Sequence, residues 1–254
     1  MSQPTEGKVS AGQRLDKVLA AAGLGSRKQV RTLVRSGRVT VAGRVERDPS
    51  THVSMHEVIA VDGVPLVRDS MTFMLAKPAG YVCAVRDARH PTVLDLFPPQ
   101  WRSRLFPAGR LDKDTEGLLI VTDDGPLCHR LISPRFGIEK EYVARLDGAI
   151  PPGLPEAFAQ GVVLDDGYRT LPARLCILEA GPPAVAALTL TEGKYHQVKR
   201  MFAAFGLKVT ELKRVRIGAL RLDERLSPGE FRRLTPAEVE LLLQNPPGAG
   251  DAPL

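Results

Sequence analysis

The chain has 254 residues, 43% of them hydrophobic and 25% charged, a balance that fits one large globular domain or a small one joined to a larger one and excludes wholesale disorder. No uncharged apolar run approaches the ~18 residues that a spanning helix needs, and the opening MSQPTEGKVSAGQRLDK carries no apolar leader core, so the sequence predicts no membrane span and a cytoplasmic location. Cys83, Cys128 and Cys176 are odd in number and far apart, which suits neither a disulfide framework nor a metal-ligand pair.

The charge is unevenly placed. The whole chain holds 35 Lys+Arg and 29 Asp+Glu, a net +6; residues 1–68 hold 11 and 6 of these, so the first quarter carries +5 and the remaining 186 residues only +1. A basic module on a near-neutral body reads as a polyanion handle attached to something else.

Residues 1–12 are expected to be flexible. Residues 14–22, RLDKVLAAA, predict a short helix with Leu15, Val18 and Leu19 on one face and Gly23 at a left-handed C-cap. Ser26 and Gln29 have capping-box spacing at the start of a second helix. Its apolar face is Val30, Leu33 and Val34, while Lys28, Arg31 and Arg35 line another. Strands follow at 38–41 and 44–46 about Ala42-Gly43, then at 58–61 and 64–66 about Asp62-Gly63, a strong hairpin signal. Two short helices, then short strands, with basic residues on the exposed helix face, resemble the S-four type of RNA-binding domain. The matching run is RLDKVLAAAGLGSRKQVRTLVRSGRVTVAGR, and the domain is assigned to 13–66. By that resemblance Arg14, Lys17, Arg27, Lys28, Arg31 and Arg35 meet RNA phosphates, contacts that position the partner and make its binding salt-dependent.

A polar link at 67–71 leads into the body, 72–243. Strands are expected at 72–76, 81–85, 118–122, 142–146 and 186–190. Thr235, Pro236 and Glu238 supply an N-cap, a first-turn proline and a capping-box acid for the last helix. The tail 244–254, rich in proline and glycine, is expected to be disordered.

The stretch AGRLDKDTEGLLIVTDDG, Ala108–Gly125, is the most informative. Asp112, Asp114, Glu116, Gly117 and Asp123 mimic calcium-loop spacing, but Pro107 and Gly109 disfavour an incoming helix and Leu118–Thr122 reads as a strand, so calcium is rejected. His52 and His56 are four apart without the glutamate or third ligand of a zinc site, and read as exposed hairpin histidines. No phosphate-cradling or dinucleotide fingerprint occurs. What remains is an acid in a loop, preceded by Arg110 and followed by a buried strand. Taken alone, that acid reads as a capping or turn aspartate.

The wider pattern shifts this reading. GRLDKDTEGLLIVTDDG, EKEYVARL and EGKYHQVKRMFAAFG, with FMLAKPAGYVC and HPTVLDLF, closely resemble the pseudouridine synthases that act on ribosomal RNA, over about residues 13–240. The Glu192–Ala204 and Tyr81-Val82-Cys83 runs resemble the small-subunit branch, whose target is uridine 516 of 16S RNA. The resemblance implies an α+β fold, a small N-terminal RNA-binding domain plus a larger domain on a mixed, largely antiparallel sheet. It implies Asp112 as the catalytic aspartate, Tyr142 as the active-site tyrosine, Lys199 as a basic partner of the aspartate, and Arg110 among the RNA-binding residues. Read alone, Tyr142 is a core residue and Lys199 a solvated charge.

The reaction is an isomerisation. The bond from uracil N1 to the sugar breaks, the base turns, and C5 takes its place. The resemblance thus implies no cofactor and no metal, ribosomal RNA or an assembling subunit as partner, and a monomer. The alternatives are a synthase for a large-subunit (23S) uridine, separable by a product map, and a non-catalytic RNA-binding assembly factor, separable by an activity assay.

Overall fold

The computed structural model describes residues 13–53, 57–66 and 70–246. The chain forms two compact units. One runs to Ser70 and takes in Asp124–Pro126; the other comprises Met71–Asp123 and the chain from Leu127 onward. The expected flexible start, 1–12, the residues 67–69 of the link and His56 lie outside the described residues, as do 247–254 of the tail.

In the first unit, β1 (Gln13–Arg14) leads into α1 (Leu15–Ala21), and α2 is Arg27–Arg35. The expected capping box forms: the Ser26 hydroxyl accepts the Gln29 N–H, and the Gln29 side chain accepts the Ser26 N–H. Strands β2 (Val39–Val41) and β3 (Arg44–Glu46) turn through Ala42-Gly43; β4 is His52–Val53; β5 (Ile59–Val61) and β6 (Val64–Pro65) turn through Asp62-Gly63. Both turns put two successive residues at positive φ, 48° and 78°, then 51° and 80°, the geometry of tight hairpins. Leu15, Leu19, Val30, Val34, Val39, Val53 and Ile59 close the core.

The second unit is built on a nine-stranded sheet among the described residues. Its strands are β7 (Thr72–Lys77), β8 (Phe106–Pro107), β9 (Glu116–Thr122), β10 (Lys140–Leu146), β11 (Arg174–Glu179), β12 (Val185–Leu190), β13 (Val209–Ile217), β14 (Leu220–Arg221) and β15 (Phe231–Arg233). The order is β11-β12-β10-β13-β9-β7-β15, with β14 beside β13 and β8 beside β9. All pairs are antiparallel except β9 with β13, which makes the sheet mixed and largely antiparallel, as expected.

Alternation sorts the central strands between two cores. Phe73, Leu75, Leu119 and Val121 face one side with Tyr142, Ala144 and Leu146; α3 (Leu154–Ala159) and α4 (Gln197–Ala203) cover it with Phe158, Met201 and Phe202. Met74, Leu118 and Ile120 face the other, under Leu131, Leu234 and Leu242. The last helix, Pro236–Leu241, has the expected Thr235–Glu238 capping box.

The structure corrects three expectations. No strand forms at 81–85. Val82 makes one isolated bridge to Thr92, because Asp87 accepts the Arg89 and His90 N–H groups and turns the chain, while the Cys83 thiol accepts the Leu111 N–H. Met71, placed in the polar link, is buried in the larger core. Asn245, placed in the tail, is anchored: its amide accepts the Glu139 N–H at 3.0 Å and donates to the Gly137 carbonyl at 2.9 Å.

Candidate active site

The loop holding Asp112 is clamped from beneath. Thr115 N–H closes a turn on the Asp112 carbonyl at 3.1 Å. The Lys77 ammonium, buried under this turn, donates to the carbonyls of Thr115, Pro78 and Lys113 at 2.8, 3.0 and 3.3 Å. Burial pushes the Lys77 ammonium down from its ordinary range, while Cys83 and nearby carboxylates pull the other way. Burial also pushes the Cys83 thiol up. Gly117 follows at φ +100°, where an added Cβ would lie 2.2 Å from the Arg214 carbonyl oxygen; only glycine fits this approach of β9 to β13.

Around the Asp112 carboxylate stand two groups from α4 and its N-cap. Lys199 Nζ lies 3.4 Å from Oδ2, and His196 Nε2 lies 3.5 Å from Oδ1. Lys199, expected beside Asp112, is shared: it donates to Asp114 Oδ1 at 2.6 Å, closer than to Asp112. That bond holds the Asp114 carboxyl below the usual carboxylate range. His196 sits at φ +50°, an uncommon left-handed position for a residue with a side chain, and one that recurs at functional sites.

Asp112, Tyr142 and Arg110 line one cleft with Leu212, Glu192, Gly193, Lys194 and the His196–Val198 segment. Lys199 flanks Asp112 and is not among the lining residues. Tyr142 is buried on β10, and its hydroxyl accepts from Arg214 Nη1 at 3.4 Å. Arg214 is itself buried, with Nε donating to the Leu118 carbonyl at 2.8 Å. Glu192 fixes the far wall: buried, it accepts from the Tyr168 hydroxyl, the Leu171 N–H and the Gln197 amide at 2.8, 2.9 and 2.7 Å.

Four residues central to this geometry were not singled out from sequence: Lys77, Glu192, His196 and Arg214. Strand alternation carried a signal for one of them, since Arg214 shares the face of Leu212, two residues before it. The others are placed by tertiary contacts.

A carboxylate beside an ammonium and an imidazole, about one quarter exposed and opposite an aromatic wall, can act as nucleophile or base on a planar ring admitted between them. The adjacent cation offsets part of the cost of drawing the carboxylate out of water.

On the first unit, Arg14, Lys17, Arg27, Lys28, Arg31 and Arg35 are all exposed. Arg14 and Arg31 are also tied to the buried Asp16 carboxylate: Arg14 donates at 3.1 and 3.0 Å, Arg31 at 3.0 Å. The Arg14 bonds, with those of Arg31, hold Asp16 well below the usual carboxylate range. Among the described residues no cluster of His, Cys, Asp and Glu suited to a metal is present, and no helix is long and apolar enough to cross a membrane.

The family model for RNA pseudouridylate synthases matches residues 71–204, and the S4 domain model matches 13–59. The chain belongs to the RNA pseudouridylate synthase family, enzymes that isomerise uridine in RNA, and carries an N-terminal S4 domain. It is 44% identical to the Bacillus subtilis RNA pseudouridine synthase YtzG over 90% of this chain and 98% of the relative. It is 44% identical to ribosomal small subunit pseudouridine synthase A of Escherichia coli over 89% and 98%. A crystal structure of a pseudouridylate synthase superposes with a TM-score of 0.66 at 38% identity, covering 91% of this chain and all of the other.

Proposed function

We propose that this enzyme acts on ribosomal RNA, converting uridine 516 of the small subunit to pseudouridine, as a cytoplasmic monomer. The observation that carries the reading is the meeting of Asp112 and Tyr142 in one cleft, in a chain that matches small-subunit synthases along nearly all of their length. Asp112 is the catalytic carboxylate, attacking the sugar or base or drawing a proton. Tyr142 supports a uracil taken out of its stack. Lys199 supplies positive charge beside the carboxylate, and Arg110 at the cleft edge meets the RNA backbone. The N1–C bond to the sugar breaks, the ring turns, C5 bonds to the same sugar carbon, the C5 proton leaves to a base and N1 takes up a proton, so atoms and charges balance without a co-substrate. Arg14, Lys17, Arg27, Lys28, Arg31 and Arg35 hold the RNA by its phosphates.

The test is the full-length protein on separate 16S and 23S transcripts and on assembling subunits, with tritium release from C5-labelled uridine and a map of the modified nucleotide. The wild type is expected to modify position 516 of 16S RNA alone. Asp112→Asn is expected to abolish release while leaving RNA binding intact. Modification of a 23S uridine instead would refute the target, and a variant within tenfold of wild type, about 1.4 kcal/mol in barrier, would remove Asp112 from the chemistry.

A further inference from the structure

Tyr195 is the most exposed of the large apolar side chains among the described residues, at 77%. It is not a loose surface tyrosine. Its ring lies 3.8 Å, centroid to centroid, from the His196 imidazole, with the planes 18° apart. That imidazole reaches 3.5 Å from Asp112 and lines the cleft. One face of the tyrosine ring is therefore covered by a residue that lines the cleft, while much of the ring stays open to water.

The segment that carries Tyr195 is held in place. Lys194 N–H donates to the Gln197 side chain at 2.8 Å, Gln197 N–H returns to the Lys194 carbonyl at 3.1 Å, and the Gln197 amide is anchored on Glu192 at 2.7 Å. Arg200 donates to the Tyr195 carbonyl at 3.4 Å. The Lys194 ammonium packs over the Tyr168 ring at 4.5 Å. An open aromatic face on a braced backbone is a stacking surface that needs little ordering to be used. Extruding a uridine strips one stacking partner from each neighbouring base. Every base has a π-face, so an aromatic ring stacked on a residue of the cleft can replace that partner without reading sequence.

We propose that Tyr195 is a stacking platform for the RNA nucleotide next to the target uridine, continuing the His196–Tyr195 pile outward from Asp112. This rests on the reading of the cleft as the uridine site. Tyr195 is a positioning residue and does not touch the reacting atoms.

The test uses full-length Tyr195→Ala, Tyr195→Phe and Tyr195→Trp on a 16S fragment spanning position 516. Steady-state kinetics are run beside the fluorescence of 2-aminopurine placed on the 5′ side of the target in one RNA and on the 3′ side in another. Wild type is expected to quench one of the two probes. Tyr195→Ala is expected to lose that quench and to raise KM about five- to hundredfold, the range of one base–aromatic stack, with kcat within about twofold. Phe and Trp are expected to keep quench and KM near wild type. An Ala variant with unchanged KM and quench overturns the proposal, as does a Phe variant as weak as Ala, which would assign the effect to the hydroxyl. A fall in kcat with KM unchanged also overturns it, since Tyr195 would then only hold His196. The two readings fail separately. Absence of wild-type turnover on this fragment strikes the assigned target, while the probe quench, which needs binding alone, still decides the platform.

Discussion

Glu192 offers the sharpest test of how the cleft is held. Its carboxylate, 3% exposed, takes three donors: the Tyr168 hydroxyl on one oxygen, the Leu171 N–H and the Gln197 amide on the other. Glu192→Ala removes all three bonds. The buried Gln197 amide is left without this acceptor, at about 1–3 kcal/mol. Tyr168 and Leu171 lie nearer to water and recover much of their loss there. Relief from burying a charge returns part of the total. The balance is about 1–3 kcal/mol of destabilisation, or roughly 3–10 °C in the melting temperature of a unit of this size. Glu192→Gln keeps an oxygen for the two N–H donors and turns an amide NH2 toward the Tyr168 hydroxyl, which can rotate to accept it. It loses only charge assistance, and a loss within about 1 kcal/mol is expected. Thermal melts read by near-ultraviolet circular dichroism measure both variants, and tritium release is expected to fall more than tenfold for Ala, because the wall carrying Lys194 and His196 loses its anchor. An Ala variant melting within 2 °C of wild type would refute the reasoning. A Gln variant as damaged as Ala would show that the charge, rather than the number of acceptors, holds the wall.

Two further outcomes follow from the geometry. Lys199→Met is expected to lower kcat at least tenfold, because at 3.4 Å a unit-charge contact is worth about 1–5 kcal/mol between water-like and surface-like dielectric; Lys199→Arg is expected to retain more, and a Met variant with wild-type kcat would show that the cation serves Asp114 alone. In the first unit, Lys28→Glu with Arg35→Glu is expected to raise KM more than it lowers kcat and to flatten the log–log salt dependence of RNA binding by about 1.5, measured by filter binding across a salt series; an unchanged slope would place the phosphate contacts elsewhere. Arg31 is left out of this variant because a carboxylate there would face the buried Asp16.

Much of the architecture was legible because it is written in local chemistry. The Ser26–Gln29 and Thr235–Glu238 caps, the hairpin turns at Ala42-Gly43 and Asp62-Gly63, and the apolar run of Leu118–Thr122 each depend on residues within a few positions of one another. The segment at 81–85 misled for the same reason: its β-branched and aromatic residues favour a strand, but the Cys83 thiol is spent on Leu111, 28 residues away, and pairing stops at the single Val82–Thr92 bridge. The site divides in the same way. Asp112 stood out through its motif, whereas Lys77 was only a lysine before a proline, and its use as a clamp exists only once Lys113 and Thr115 fold over it. Lys199 was foreseen as the partner of Asp112, but its shorter bond to Asp114 depends on how the 112–115 turn is wound.

The parallel pairing of β9 with β13 explains why these groups meet. Glu116 and Gly117 of β9 lie against Lys213 and Arg214 of β13, and Arg214 in turn lies against Tyr142 of β10. Asp112 enters just before β9, so the carboxylate and the tyrosine approach from strands separated by one other. Neighbouring strands are ~4.8 Å apart, so the backbones of β9 and β10 stand ~10 Å apart with β13 between them. The intervening strand supplies what lies beneath: Leu212 as an apolar floor and Arg214 as the donor that orients the tyrosine hydroxyl. The gap cannot readily collapse, because Gly117 already brings β9 as near to β13 as the backbone allows and the β10 register is set by pairing along both its edges. The sheet thus fixes how β9, β13 and β10 stand beneath the cleft, while the position of Asp112 is set by the turn that Lys77 clamps.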